Sequence, residues 1–183
     1  MANPHPLENL THRRRWFWAL LALSLLIMLA MNFIGLPLNT SAAPSGIVSF
    51  EVAGSVENAQ AMLDSWGSQG RVAAAFIQGL DFLFPAVYST MLTLACLMAS
   101  STLGRAAWPL ARLGTALAWA QWAAALFDYI ENISLVVLIF GPVAAPWPQI
   151  AAICALIKFT LLIIGIAYGF FGLAARLSLS FRR

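Results

Sequence analysis

Four stretches of this chain are each long and apolar enough to cross a lipid bilayer, and no other feature restricts its fold as strongly. They run over about 16–36, 72–100, 107–140 and 147–173. A hydrocarbon core about 30 Å thick needs roughly 20 helical residues to span it. Inside lipid every backbone N–H and C=O must be satisfied within the protein, which leaves helices or closed barrels. The runs are far too long for barrel strands, so they predict helices. Composition agrees, with 61% hydrophobic and only 9% charged residues, against about 25% charged in a soluble domain. A soluble fold of 183 residues leaves too much of its surface wet to hide this much apolar material. The expected fold is all-α: one transmembrane four-helix bundle over residues 16–176, with a short amphipathic helix on its outer face.

The basic residues orient the bundle. Arg13, Arg14, Arg15, Arg105, Arg112, Arg176, Arg182 and Arg183 fall on one side of the expected spans, and Arg71 alone on the other. Cytoplasmic loops carry the excess of Lys and Arg. Both termini are therefore expected in the cytoplasm, in a cell membrane of the bacterial inner-membrane type. Residues 1–15, with Pro4 and Pro6, read as a mostly disordered cytoplasmic tail, and 177–183 as a second tail. The run His12-Arg13-Arg14-Arg15 reads as a topology anchor at the inner leaflet, not as a nucleic-acid surface. The first apolar stretch exceeds a signal-peptide core, and the one cleavage-like segment, Ser41-Ala42-Ala43, runs into Pro44.

Residues 37–71 form the long outer loop. Ser55 is a candidate N-cap, Glu57 sits in the first turn, and Gly67 is the expected stop. Val56, Ala59, Met62, Leu63 and Trp66 share one face, opposite Glu57, Asn58, Gln60 and Asp64. Such a helix caps the bundle or lies on the membrane surface. As a cap it has a structural role, and over a buried site it would be a lid. Pro85 is expected to kink the second span.

The costly residues are the ionisable ones inside the spans: Asp81, Asp128, Glu131 and Lys158. Each costs about 2.5–3.5 kcal/mol at a helix centre on insertion scales, so each should face the interior. At 1.5 Å per residue, Asp81, Glu131 and Lys158 lie about 14–15 Å below the outer ends of their spans, and Asp128 about 18 Å below. The faces agree as well. Gln78, Asp81, Pro85 and Tyr88 are spaced 3, 4 and 3, and Gln121, Ala125, Asp128 and Asn132 are spaced 4, 3 and 4. Cys154, Lys158, Leu161, Gly165, Tyr168 and Gly172 continue the 4 and 3 alternation. Residues so spaced share a helix face. The expected cluster is Gln78, Asp81, Tyr88, Gln121, Asp128, Glu131, Asn132 and Lys158, with Lys158 paired to Asp128 or Glu131. One ammonium does not balance three carboxylates. A proton on one carboxyl, or a bound cation or amine, would make up the difference.

Other features have plainer readings. Gly165-x-x-x-Gly169, with Gly172 one turn on, suits close packing of the fourth helix within the chain. Homo-oligomerisation is the alternative. Cys96 and Cys154 sit in apolar segments without metal-ligand neighbours and read as small fillers, as Met28 and Met31 do. Asn39-Thr40-Ser41 fits a glycosylation acceptor only in a eukaryotic source. Asp128-x-x-Glu131 is half of a carboxylate metal motif, but no His lies in any span. No metal or cofactor is expected.

Three segments carry a resemblance: Phe127-Asp128-Tyr129-Ile130-Glu131-Asn132, Leu80-Asp81-Phe82-Leu83-Phe84, and the outer-loop Phe50-Glu51 with Trp66-Gly67. In these the chain resembles a family of small bacterial four-helix integral membrane proteins, a domain family without an assigned activity. The resemblance covers most of the chain after residue 45. It nominates Glu51 and Trp66 beside Asp81, Asp128, Glu131 and Asn132, and implies no mechanism.

Two classes of function follow. One is a membrane-embedded pocket that binds or acts on a small amphiphile or lipid, with the carboxyls as acid, base or counter-ion. The other is a non-catalytic membrane scaffold or assembly component whose polar cluster only holds helices together. A proton-coupled small transporter is a third. The expected surroundings are the bilayer and a lipid or amphiphilic ligand, without nucleic acid.

Overall fold

A computed structural model describes residues 5–181. Pro4, Arg182 and Arg183, which belong to the expected tails, lie outside the described residues. The fold is all-α: 83% of the chain is helical, no strand occurs among the described residues, and the helices form a bundle. In chain order the helices are α1 (Arg13–Ile34), α2 (Ile47–Glu51), α3 (Val56–Asp81), α4 (Phe84–Arg105), α5 (Gly114–Phe140) and α6 (Trp147–Phe181). Four helical stretches are long and apolar enough to cross a membrane: Arg13–Ile34, Phe84–Arg105, Ala111–Phe140 and Trp147–Phe181.

The second of these departs from the expected kinked span. Pro85 does not bend a continuous helix. The chain leaves α3 at Asp81, turns through Phe82 and Leu83, and starts α4 at Phe84. Pro85 thus lies in a first turn, where its missing N–H removes no helical hydrogen bond. The break leaves Asp81 at a helix terminus. Gly67 is the stop expected for the outer-loop helix, and a second helical stretch begins directly after it. It adopts φ 59°, ψ −163°, which is not helical, and divides α3 into an outer-loop half and a half that runs on to Asp81. That left-handed φ costs an L-residue about 1–2 kcal/mol but costs glycine almost nothing.

The chain divides into two compact units. One comprises Ser24–Pro85 and Leu126–Lys158. Its core joins Leu38, Phe50, Leu63, Trp66, Ile77, Leu135 and Leu138, with Met31 and Ile34 of α1 packed against it. The first half of α3 covers this core. Ser55 Oγ caps it by accepting from the Asn58 N–H at 3.2 Å. Ala59, Leu63 and Trp66 are buried while Glu57, Asn58 and Asp64 are exposed. The amphipathic face therefore rests on protein.

The other unit comprises the described part of Met1–Leu23, Ala86–Ala125 and Phe159–Arg183. Cys96, Leu97, Ala99, Leu103, Ala118, Tyr168 and Ala175 form its core. Both cysteines of the chain are free and buried. The tail differs from the irregular segment expected. Pro6–Asn9 is a turn of 3-10 helix, and His5 is 2% exposed, held between Trp119 and Trp122 with ring centroids at 4.6 Å from each. The imidazole fills an aromatic slot that no sequence periodicity announced.

The glycine row of α6 is used inside this unit. A Cβ on Gly172 would collide with Ala99 of α4, and one on Gly165 with the Gln121 side chain of α5. Gly169 has Ala95 at 3.7 Å. Gly172→Val should lower stability by about 1–3 kcal/mol, the usual range for overpacking. Gly79 provides the contrast. It is exposed on α3, and a methyl group added there would meet no atom within 4 Å. Gly79→Ala should gain about 0.5–1 kcal/mol through helix propensity. Thermal unfolding of the detergent-solubilised variants checks both signs.

Candidate functional site

Within the unit formed by Ser24–Pro85 and Leu126–Lys158, four helices deliver ionisable side chains to one buried place. α6 supplies Lys158, and α5 supplies Asp128, Glu131 and Asn132. Asp81 ends α3 and Glu51 ends α2. The Lys158 ammonium donates to Glu131 Oε1 at 2.8 Å and to Asp128 Oδ1 at 3.0 Å. Glu51 Oε2 stands 3.5 Å from the same nitrogen. Lys158 thus pairs with both carboxylates expected for it, where helical spacing left the choice open, and with a third from the outer loop.

Asn132 ties the remaining acid into place. Its Nδ2 donates to the Asp81 backbone carbonyl at 2.9 Å, and its Oδ1 accepts from Gln78 Nε2 at 3.4 Å. The Asp81 side chain hydrogen-bonds Asn132 and lies within the electrostatic reach of Asp128, Lys158 and Glu51. All of these residues are closed off from the exterior: Glu131 and Asn132 are 0% exposed, and Glu51, the most exposed of the set, 6%.

Glu51 is the residue that counting along the chain misassigns. The resemblance nominates it, but the residue pattern leaves it in the outer loop, away from the cluster. The loop path brings it in. α2 is five residues long and lies between Gly46 (φ 55°) and Gly54 (φ 69°). Val48 and Val52 are exposed while Phe50 and Glu51 are buried. A short apolar stretch between two glycines that holds a single acid, Ile47-Val48-Ser49-Phe50-Glu51-Val52-Ala53, is the signal that points to an inward turn. Burial pushes the Glu51 carboxyl above its ordinary range, and the charge of Asp128 adds to this. Lys158 and a hydrogen bond with Glu131 pull the other way without cancelling the rise.

Trp66, nominated with Glu51, serves a different purpose. It is 6% exposed, donates its indole N–H to the Leu38 carbonyl at 2.8 Å and packs edge-on against Phe50 at 5.1 Å. It holds the loop that carries Glu51. Tyr88 and Gln121, also expected in the cluster, belong to the other unit. There Gln121 Nε2 donates to the Leu161 carbonyl at 3.1 Å, and Tyr88 is buried.

Chemically the site is an ammonium surrounded by carboxyls. Three acids contact the one base and Asp81 lies within electrostatic reach of it, so full ionisation of the four would leave three negative charges uncompensated. Two oxygens, Glu51 Oε2 and Glu131 Oε2, are buried without a hydrogen-bond partner, although the first is close enough to Lys158 for a longer charge contact. Among the described residues no three His, Cys, Asp or Glu side chains are arranged to hold a metal ion, and the Lys158 ammonium sits where a cation would.

No family model, curated protein or solved structure matches this chain.

Proposed function

We propose that this is a multi-pass protein of a cell membrane, with both termini cytoplasmic, that takes up and releases a proton at the acid–lysine centre as part of a proton-coupled activity. One observation carries the reading: three buried carboxyls stand within 3.5 Å of a single ammonium in a closed site, with the buried Asp81 carboxyl in electrostatic reach. At an effective dielectric constant of about 20, two like charges 4 Å apart repel by about 4 kcal/mol. Three uncompensated carboxylates, three such pairs, would therefore cost about 12 kcal/mol, as much as the whole stability of an ordinary domain, about 5–15 kcal/mol. A proton is the smallest species that lowers the deficit, by one charge each, and it needs no cavity.

The pair Glu51 and Glu131 is the natural holder. A hydrogen bond between two carboxyls requires a proton on one of them, and each keeps an oxygen that accepts from no donor. Glu51 also lies in the chain between the exposed Val48 and Val52, which favours exchange through the loop. An amphiphile would need room beside acids that are already engaged with one another. A purely structural cluster would be expected to match one acid to one base.

Infrared difference spectroscopy on the reconstituted full chain tests this. A carbonyl band of a protonated carboxylic acid is expected at neutral pH, lost or shifted in Glu51→Gln and in Glu131→Gln. A wild-type spectrum without that band would leave only the helix-holding role. Stability offers an independent check. Glu51 keeps its proton to higher pH in the folded protein than in the unfolded one, whose ordinary value is 4.5. Between those values the unfolded state holds fewer protons, so the fold loses stability as pH rises through the interval. The wild-type melting temperature should fall over that range, and Glu51→Gln should flatten the decline.

A further inference from the structure

A second place in the molecule has the opposite charge. In the unit that holds the ends of α4 and α6, a cleft of about 610 Å³ is lined by Met98, Ser101, Thr102 and Arg105 of α4 and by Arg176, Leu179 and Ser180 of α6. We propose that this cleft binds a phosphate-bearing anion, and specifically the headgroup of an anionic phospholipid, with Arg105 and Arg176 as its two clamps.

Both guanidinium groups are exposed, and among the described residues neither has an ion-pair partner. Arg105 is directed toward the cleft: its Nε donates to the Ser101 carbonyl at 3.2 Å, which turns the guanidinium back along α4 and leaves both terminal nitrogens available. Planar guanidinium forks suit bidentate phosphate recognition, and two of them facing one cleft suit a single anionic centre.

The hydroxyls narrow the ligand class. Ser101 and Thr102 each donate to the Met98 carbonyl at 2.9 Å, and Ser180 donates to the Leu177 carbonyl at 2.7 Å. Their protons are thus spent on their own helices, which leaves the hydroxyl oxygens of three lining residues as acceptors. A ligand that offers an anion to the arginines and hydroxyl donors to these oxygens is complementary, as a phosphodiester with a polyol headgroup is. Met98 and Leu179 supply apolar wall for the adjoining glyceride. In the proposed orientation the cleft lies at the cytoplasmic side, where anionic lipids and basic residues meet, but its chemistry does not depend on that orientation.

Native mass spectrometry of the full chain, purified in detergent and titrated with phosphatidylglycerol or phosphatidylcholine, reads the site. A selective phosphatidylglycerol adduct is expected, weakened about tenfold or more in Arg105→Gln/Arg176→Gln. Arg112→Gln removes an exposed arginine from outside the cleft and should leave the adduct unchanged. Arg→Lys at both clamps keeps the charge but loses the fork, and should fall between. Displacement of the lipid by millimolar inorganic phosphate would uphold a phosphate site and assign it to a soluble anion. Equal binding of the two lipids, or equal losses in the Arg112 and clamp variants, would overturn the proposal. All these side chains are exposed, so size-exclusion profiles should match wild type. The acid–lysine centre plays no part in the measurement.

Discussion

Lys158→Met should be among the most damaging single substitutions in the chain. Lys158 is 5% exposed and meets Glu131, Asp128 and Glu51 at 2.8, 3.0 and 3.5 Å. Methionine keeps an unbranched apolar side chain one atom shorter and removes the ammonium with its charge and donors. Taking away one partner of a buried ion pair costs about 3–5 kcal/mol, because the charge left behind has neither water nor a counter-ion. For a chain of this size that corresponds to a fall of about 6–20 °C in melting temperature. The deficit should shrink on acidification, since protons then take over the neutralising task of the ammonium. It should shrink as well when Asp128→Asn and Glu131→Gln are combined with Lys158→Met, since the excess acids are removed together with the base. Melting curves of the single, double and triple variants at pH 5 and pH 8 measure this coupling directly. A Lys158→Met protein as stable as wild type at pH 8 would mean that the carboxyls do not depend on the ammonium, and the charge balance assigned to the centre would fail.

The parts of this site that could be read from the sequence are those governed by regular geometry. Helical spacing put Asp128 and Asn132 on the same face as Ala125, and Lys158 on the same face as Cys154 and Leu161, and apolar length gave the helices themselves. Periodicity specifies a face but not a level. Gln121 shares its face with Asp128 yet lies seven residues away, about 10 Å along the axis, and Tyr88 is seven residues beyond Asp81. The break at Phe82–Leu83 puts Tyr88 on α4 and Asp81 on α3, so no single helix face joins them, and both Tyr88 and Gln121 belong to another unit. Glu51 illustrates the complementary gap. Its burial depends on the path of a loop, fixed by Gly46, Gly54 and tertiary packing, and loop paths carry no period. Pro85 shows that a proline signal specifies an interruption without specifying its form: either a kink or a new helix start satisfies its missing N–H, and the turn at Phe82–Leu83 realises the second.

Because that loop path matters so much, Trp66→Ala should have an effect of similar size through a different route. Trp66 is held by contacts on two sides, with the Phe50 ring at 5.1 Å and the Leu38 carbonyl at 2.8 Å from its indole nitrogen. Phe50 and Leu38 are both 0% exposed. Replacing a buried tryptophan by alanine costs about 3–5 kcal/mol in lost burial and residual cavity. The hydrogen bond adds a smaller share, since a buried carbonyl left unsatisfied costs about 1–3 kcal/mol. Trp66→Phe separates the two, as it keeps most of the aromatic area and loses only the donor. The distinctive expectation is local. Phe50 precedes Glu51 on α2, so loosening Phe50 should free the segment from Gly46 to Gly54 and let Glu51 leave the lysine before the whole protein unfolds. Hydrogen exchange should then rise in residues 47–53 of Trp66→Ala beyond what global destabilisation explains, and the infrared band assigned to the Glu51–Glu131 pair should change with it. A protein that loses stability while exchange in 47–53 follows the global rate would show that Trp66 supports the core alone, and that the loop keeps its acid in place by contacts of its own.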